Sequence, residues 1–301
     1  MPSTRLPMCL IAAGLAVPAL LPASAAATWP GSAGRVFYDH FESSNSATYS
    51  IRPDGSHNRR LIKNANEPAL SPDGSHIVFQ RETGVFVARA DGSHVHRVVK
   101  SFSEAIFDPQ WSPHGNHISF TAYFEEQTGG EHVRTKQFVY IVRSNGRKLR
   151  RLHRGHAAAW SPRNRRIAFL VGDRILSIRP DGHRLRRLRS GLPDYVDAVD
   201  WSPNGRRLVY QVGAGPGHLE WLNVRTRKHH TLGAKRVGWP LDVAWAPGGN
   251  RIAYLHQHIP PSGQVFPPTV MRTIKPNGRG RRDVFKFRPL RWPESFAWQT
   301  R

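Results

Sequence analysis

Short runs of apolar and alternating residues recur along the chain and are separated by Gly, Pro, Asn and Asp. Three of these runs read Ile77-Val78-Phe79, Ile118-Ser119-Phe120 and Ile167-Ala168-Phe169. Short runs that are rich in β-branched and aromatic residues and bounded by turn formers predict β-strands rather than helices. The pattern therefore predicts an all-β chain.

The predicted strands belong to a long repeat. One part of the repeat is an aromatic or apolar residue followed by Ser-Pro-x-Gly or a close variant, and an Ile-Ala-Phe-like run comes after it. Five copies begin at Leu70, Trp111, Trp160, Trp201 and Trp245, and successive copies are 41, 49, 41 and 44 residues apart. A period of about 40–50 residues is typical of the blades of a β-propeller.

A second part of the repeat is a Pro-Asp-Gly-like turn. Copies end in the dipeptides Asp54-Gly55, Asp91-Gly92, Asn145-Gly146, Asp181-Gly182 and Asn277-Gly278, and a basic run follows each. Asp-Gly and Asn-Gly supply the positive φ angles that tight hairpins need. Each repeat thus predicts four strands: a ends at the Trp-Ser pair, b is the Ile-Ala-Phe-like run, c leads to the Asp-Gly turn, and d follows it.

The blade count follows from the copies. Strands b, c and d each occur six times, whereas strand a occurs five times internally and once more at 295–298 near the end of the chain. We therefore predict a single six-bladed β-propeller of four-stranded antiparallel blades, with the ring closed by the C-terminal strand joining the first blade. Closure removes the exposed sheet edges that promote aggregation. The propeller is expected over residues 35–301, preceded by a short linker at 28–34.

These residues resemble the Pro-Asp-Gly (PD-type) repeats of TolB-like propellers, which are similar to WD-type repeats, over roughly residues 35–301. The resemblance implies a six-bladed propeller that acts as a non-enzymatic binding scaffold. Similar repeats also precede the catalytic domain of dipeptidyl-peptidase-like serine hydrolases. The chain contains no Gly-x-Ser-x-Gly nucleophile motif, so we do not expect an enzyme of that class.

Residues 1–27 are predicted to be a secretory signal peptide. Arg5 provides a positive start, residues 8–21 form an apolar stretch, and Ala23-Ser24-Ala25 offers small residues for cleavage. The alternative is an uncleaved N-terminal anchor. The only cysteine of the chain, Cys9, lies in this segment, so an intramolecular disulfide framework and a cysteine-rich metal site are excluded. The chain is expected to be secreted or periplasmic.

Charge divides between the two faces of the predicted propeller. The chain carries 44 Lys and Arg against 21 Asp and Glu, a net charge of +23. Most cations lie in the a–b and c–d turns and in strand d, whereas most acids lie in the b–c and d–a loops. Arginine forks suit phosphates and carboxylates, so an anionic polymer is one predicted ligand of the basic face. The alternative is a charged outer strand that only maintains solubility, and export argues against specific nucleic-acid binding. The candidate anion-binding residues are Arg150, Arg151, Arg165, Arg166, Arg186, Arg187, Arg206 and Arg207.

The leading functional hypothesis is a monomeric, cofactor-free scaffold that binds a protein or peptide partner of the cell envelope through its long loops, mainly 122–137 and 256–268. The candidate partner-binding residues are Tyr123, Glu125, Glu126, Tyr195, Asp197, Trp239 and Trp292. The rival hypothesis is a propeller lyase or hydrolase that acts on an extracellular glycan or small molecule at the channel mouth. His132, His256 and His258 are weak candidates for metal ligands there. The recurring Trp and turn Asp residues are interpreted as packing and turn features.

Overall fold

The computed structural model describes residues 33–42, 45–52, 54–82, 84–127, 133–193, 196–213, 217–232, 239–257, 269–287 and 295–300. Within these ranges the regular structure consists of strands, and no helix is long and apolar enough to cross a membrane. The predicted signal peptide, residues 1–27, lies outside the described part of the chain.

Twenty-four strands form six antiparallel four-stranded sheets, which we number as blades in chain order. Blade 1 holds β24 (Phe296–Thr300), β1 (Ala33–Glu42), β2 (Asn45–Ile51) and β3 (Arg59–Lys63). Blade 2 holds β4 (Asn66–Leu70), β5 (His76–Arg81), β6 (Gly84–Arg89) and β7 (His96–Lys100). Blade 3 holds β8 (Ala105–Trp111), β9 (His117–Gln127), β10 (Val133–Arg143) and β11 (Arg150–Arg154).

The remaining three blades repeat this order. Blade 4 holds β12 (His156–Trp160), β13 (Ile167–Val171), β14 (Arg174–Ile178) and β15 (Arg186–Arg189). Blade 5 holds β16 (Val199–Trp201), β17 (Arg207–Val212), β18 (His218–Asn223) and β19 (His229–Leu232). Blade 6 holds β20 (Trp239–Trp245), β21 (Ile252–Gln257), β22 (Thr269–Ile274) and β23 (Arg282–Lys286).

The ring closes as the repeat predicts. Strand β24, at the end of the chain, pairs antiparallel with β1, with Trp298 opposite Val36 and Ala297 opposite Phe37. The first blade is therefore completed by the last strand, and the prediction of a closed six-bladed all-β propeller is confirmed. The a–b and c–d turns lie on one side of such a ring, which we call the turn face. The b–c and d–a connections lie on the other side, the loop face.

The core repeats from blade to blade. Strand b places a fully buried aromatic side chain at the same repeated position in every blade: Tyr38, Phe79, Phe120, Phe169, Tyr210 and Tyr254. Trp111, Trp160, Trp201 and Trp245 of strand a pack against the preceding blade, as Trp160 does against Val139 and Ile141. Its indole Nε1 also donates a hydrogen bond of 2.8 Å to Ser119 Oγ of blade 3. Because each blade must bury its face against its neighbour, these tryptophans hold the ring together.

The Asp-Gly turns use their side chains to shape the backbone. The N–H of His183 donates to Asp181 Oδ1 at 2.8 Å, and the N–H of Arg279 donates to Asn277 Oδ1 at 3.0 Å. Asp and Asn therefore act alike at this position, as expected for turn chemistry. The turn of one blade also lies on strand d of the blade before it. A Cβ on Gly146 would lie only 2.7 Å from the carbonyl oxygen of Val98.

Replacement of Trp160 by alanine should lower the free energy of unfolding by about 3–5 kcal/mol, since it removes a buried aromatic side chain between blades. Ser119→Ala is the matched control, because it removes only the hydrogen-bond acceptor and should cost about 1–2 kcal/mol. Denaturant unfolding followed by circular dichroism measures both. A Trp160→Ala loss no larger than that of Ser119→Ala would contradict the role of this indole in joining the blades.

Candidate functional site: an acidic channel mouth

Buried carboxyl groups line the innermost strands near the loop face. Glu67, Asp108 and Asp242 occupy the same position in blades 2, 3 and 6, three residues before the repeated Leu70, Trp111 or Trp245 position. Asp39 lies on β1 of blade 1. The four acidic residues are between 0% and 6% exposed. We call them the carboxyl ring.

A β-bulge sets the position of these acids. Pairing between strands a and b shifts register between Phe107 and Gln110 in blade 3, and similar shifts occur in blades 2, 4 and 6. Glu67 and Asp108 have φ angles of 51° and 53°, which are uncommon for residues other than glycine. A bulge redirects the side chain and the N–H of the extra residue away from the strand ladder.

The redirected groups link each blade to the next. The N–H of Glu67 donates to Asp39 Oδ2 at 3.1 Å, and the N–H of Asp108 donates to Glu67 Oε2 at 2.7 Å. The N–H of Phe296 donates to Asp242 Oδ2 at 3.1 Å and so connects blade 6 to blade 1. Hydrogen bonds to carboxyl groups are stronger than those between neutral partners. The carboxyl ring therefore stabilises the closed fold.

Other groups complete the links where the ring position carries no acid. In blade 5 that position is Ala198, and Asp200, two residues later, accepts a hydrogen bond of 2.9 Å from the N–H of Trp245 in blade 6. Between blades 4 and 5, the Trp201 indole Nε1 donates to the carbonyl oxygen of Ala159 at 3.1 Å. The same inter-blade function is thus fulfilled by different side chains.

The acids also act on one another across the channel. Burial raises the pKa of Asp108 well above its ordinary value, and the charge of Asp197 in blade 5 raises it further. Burial likewise raises the pKa of Asp242, with added contributions from Asp108 and Asp39. These residues belong to blades 1, 3, 5 and 6, so the acids of different blades lie near enough for their charges to influence one another.

A histidine–aspartate pair lies beside the ring, one residue farther toward the loop face. His156 Nε2 lies 3.9 Å from Asp197 Oδ1 and 3.4 Å from the carbonyl oxygen of Val196. Burial raises the pKa of Asp197 to about 6. Burial lowers the pKa of His156, and the Val196 carbonyl opposes this shift only in part. We call the carboxyl ring together with His156 and Asp197 the mouth. It thus includes Asp197, a predicted partner-binding residue.

An extended hairpin rises from blade 3 on the loop face. Strands β9 and β10 have 11 residues each, about twice the length of most other strands of the ring. It carries two exposed acids: Glu125 accepts a hydrogen bond of 3.3 Å from the Tyr123 hydroxyl, and Glu126 forms a 2.6 Å ion pair with Lys136. The hairpin therefore places the predicted residues Tyr123, Glu125 and Glu126 together.

Several predicted residues are not brought into a described site. His132, His258, Tyr195 and Trp292 lie outside the described residues, and of Trp239 only the backbone, at the start of β20, is described. His256 is buried in β21, 3% exposed, beside the ring of Tyr254. Among the residues that the structure describes, no group of three or more His, Cys, Asp or Glu has an arrangement that could hold a metal ion.

The predicted anion-binding arginines divide into two kinds. Arg166 is half-buried, and its guanidinium donates to Ser177 and to the carbonyl oxygen of Arg184 in its own blade. The guanidinium of Arg207 lies over the ring of Trp221, 4.1 Å from its centroid. Both therefore make contacts within their own blades. The other six are exposed on or near the turn face: Arg150, Arg151, Arg165, Arg186, Arg187 and Arg206.

The carboxyl ring was missed in the sequence analysis. The available signal was an acid three residues before the Leu or Trp of strand a, as in Glu67 and Asp108, each followed by proline. Proline lacks the N–H that a strand ladder needs, so an acid–proline pair just before a strand is a sign of a bulge. This signal is weak because blades 4 and 5 carry alanine at the ring position.

Comparisons with known proteins were made by sequence and by structure. No protein-family model and no curated protein sequence matches this chain. A crystal structure of TolB from Acinetobacter baumannii matches with a TM-score of 0.70 and 14% identity, over 88% of this chain and 66% of the TolB chain. The chain thus spans slightly less than two thirds of that protein.

Two further structures illustrate the range of proteins with this fold. Putative TolB from Agrobacterium tumefaciens matches with a TM-score of 0.62 and 17% identity, over 84% of this chain and 89% of that one. Oligogalacturonate lyase from Vibrio parahaemolyticus matches with a TM-score of 0.61 and 10% identity, over 88% and 79%. At these identities the likeness shows the fold alone. The chain is a six-bladed β-propeller with the fold of the TolB propellers.

The mouth should give the protein a pH-dependent stability that Asp197→Asn alters. The folded-state pKa of Asp197 is raised to about 6, so the folded protein binds the Asp197 proton more tightly than the unfolded chain does. The resulting contribution to the free energy of unfolding is fully present below the unfolded-state pKa and is lost as the pH rises through 6. The wild-type advantage over Asp197→Asn should therefore fall by up to about 3 kcal/mol between pH 4 and pH 8. Denaturant unfolding at a series of pH values measures it.

Asp73→Asn is a control of opposite sign. Hydrogen bonds from Ser71 and Ser75 overcome a smaller effect of burial and lower the pKa of Asp73 to about 2. The contribution of ionised Asp73 to the free energy of unfolding is therefore present above the unfolded-state pKa and is lost only as the pH falls toward 2. If the two variants showed the same pH trend, the assignment of a raised pKa to Asp197 would be wrong.

Proposed function

We propose that this chain is an extracytoplasmic, non-enzymatic propeller scaffold whose loop face binds a positively charged segment of a protein partner in the cell envelope. The observation that carries the proposal is the set of buried acids Asp39, Glu67, Asp108 and Asp242, which accept hydrogen bonds that link the blades. The more exposed Asp197 lies beside them.

The chemistry of the mouth favours a cation. Desolvation and mutual repulsion both raise the pKa values of carboxyl groups. A bound ammonium or guanidinium group stabilises the ionised carboxylates and so opposes both effects. Asp197 is nearest to solvent among the coupled acids, with its side chain 23% exposed. A Lys or Arg side chain entering from the loop face would reach Asp197 before it reached Asp108.

The rim adds contacts around this centre. The extended hairpin of blade 3 presents Tyr123, Glu125 and Glu126 beside strand β8, where the Tyr123 ring lies 6.5 Å from that of Phe107. An aromatic side chain and carboxylates on a long hairpin above a rigid ring form a typical recognition surface. The secretory signal predicted at residues 1–27 supports a location outside the cytoplasm, and the TolB-like fold is compatible with it.

The experiment compares synthetic peptides rather than an unidentified partner. A Lys- and Arg-rich peptide and an acidic peptide of equal length are titrated into the protein, and binding is followed by fluorescence anisotropy. Only the basic peptide should bind. Replacing one acid of the mouth and one of the hairpin, by Asp197→Asn with Glu125→Gln, should weaken its binding about tenfold. Each close charge pair contributes about 0.5–1 kcal/mol at partly exposed sites.

The matched control removes two acids from the turn face. Asp91→Asn with Asp181→Asn causes the same change in net charge, and the Asn145 and Asn277 turns show that the fold accepts asparagine there. An equal loss of affinity in this variant would mean that net charge, not the mouth, binds the peptide. Turnover of an oligogalacturonate or another glycan that Asp197→Asn abolished would instead establish the rival enzymatic function.

A further inference from the structure

Exposed apolar side chains recur at one position of the turn face. The described part of the chain has four exposed large hydrophobic residues: Val95, Phe102, Leu149 and Leu185. Phe102 contacts Phe120, Phe124 and Tyr140. The other three each stand three residues after the turn glycine of strands c and d, in blades 2, 3 and 4.

The backbone presents these three side chains in the same way. The residue before each one has a positive φ, 55° at His94, 56° at Lys148 and 55° at Arg184. A shared backbone conformation directs the following side chain alike in each blade. Val95, Leu149 and Leu185 are 39%, 41% and 48% exposed, so none of them contributes to the core.

The three blades form one continuous surface. The c–d turn of blade 3 lies on strand d of blade 2, since Gly146 approaches Val98. The c–d turn of blade 4 lies on strand d of blade 3, since the Arg150 guanidinium donates to the carbonyl oxygen of Pro180. Each apolar side chain therefore follows the next around the edge of the turn face. We call this row, with its flanking cations, the basic–apolar rim.

Cations flank the apolar residues and are not neutralised. The local sequences are Lys148-Leu149-Arg150-Arg151 and Arg184-Leu185-Arg186-Arg187. Residues 143–190 hold 15 Lys and Arg and two acids, a net charge of +13. Of these cations only Arg174 and Arg189 form ion pairs within the described part of the chain. Two acids cannot compensate the rest, and one of them, Asp173, already pairs with Arg174.

A cleft at the edge of the rim is suited to a phosphate group. It lies between blades 4 and 5, has a volume of about 580 Å³, and is lined by the side chains of Arg186, Arg206 and Arg225. Arginine forks bind phosphate oxygens bidentately. The described segments 91–97, 145–151 and 181–187 of the rim contain no Phe, Tyr or Trp, whereas proteins that bind single-stranded nucleic acid present aromatic side chains for base stacking.

From this combination we infer that the basic–apolar rim docks the propeller onto a membrane surface rich in anionic phospholipid. Basic residues bind anionic headgroups at long range, and apolar side chains inserted at the interface add affinity and hold the protein there. Neither feature is sufficient alone, since stable peripheral binding takes two signals. A soluble polyanion would use the arginines but would have no use for three exposed aliphatic side chains.

The test uses vesicle sedimentation with the full chain as purified after export. Vesicles of phosphatidylcholine are compared with vesicles that also contain phosphatidylglycerol. The protein should bind the anionic vesicles, release on addition of salt, and bind the neutral vesicles weakly. An uncleaved N-terminal segment would bind both kinds alike, so equal binding to the two vesicle types would contradict the proposal.

Two variants separate the two signals. Arg186→Gln with Arg187→Gln should weaken binding to the anionic vesicles roughly 20-fold, whereas Lys100→Gln with Arg134→Gln, the same charge change near the loop face, should leave it nearly unchanged. Leu149→Ser with Leu185→Ser should weaken vesicle binding about fivefold but leave binding to inorganic polyphosphate unchanged. Full vesicle binding by the leucine variant would overturn the proposal and would identify the rim as a site for soluble polyanions.

Discussion

A hydrogen bond from a bulged backbone to a carboxyl group of the neighbouring blade is the interaction on which this ring depends. Sheet hydrogen bonds hold each blade together internally, and blade-to-blade cohesion otherwise comes from side-chain packing. The Glu67 N–H to Asp39 bond and the Phe296 N–H to Asp242 bond add directional links at the centre. A further bond, from the N–H of Ser295 to Asp39 Oδ1 at 2.9 Å, joins residues near opposite ends of the chain and so helps to close the ring.

This way of closing the ring has an electrostatic cost. Asp108 and Asp242 are fully buried, and burial together with neighbouring carboxyl groups raises their pKa values. A hydrogen bond offsets part of that cost and mutual repulsion adds to it. The fold therefore concentrates carboxyl groups at one end of its channel as a consequence of how the blades are joined. A binding function at that mouth would use residues that the ring already requires.

The fold could be predicted from the sequence because its signals repeat. One Asp-Gly turn is weak evidence, but turns at Asp54, Asp91 and Asp181 at blade spacing define the strands between them. The mouth could not be predicted in the same way, because Asp39, on strand b of blade 1, and Glu67, on strand a of blade 2, meet only when the two blades pack together. Asp197 was identified from its place in a loop, yet its partner His156 lies 41 residues earlier, in another blade. Convergence on an axis is a property of the closed ring, and no local pattern carries it.

The cationic residues of the chain fall into two sets with different physical roles. Arg35, Arg166 and Arg251 occupy the position three residues before the buried aromatic residue of strand b. They donate to carbonyl oxygens of their own blades, so they hold the c–d turns in place. Blades 2 and 3 have His76 and His117 at this position, next to Trp111 and Trp160. These internal contacts fix the turns from which the outer cations project. Because Arg166 donates to the carbonyl oxygen of Arg184, the turn that carries the Arg184–Leu185 pair is held in place before any ligand arrives. Little conformational entropy then remains to be lost on binding, which strengthens a surface whose individual contacts are weak.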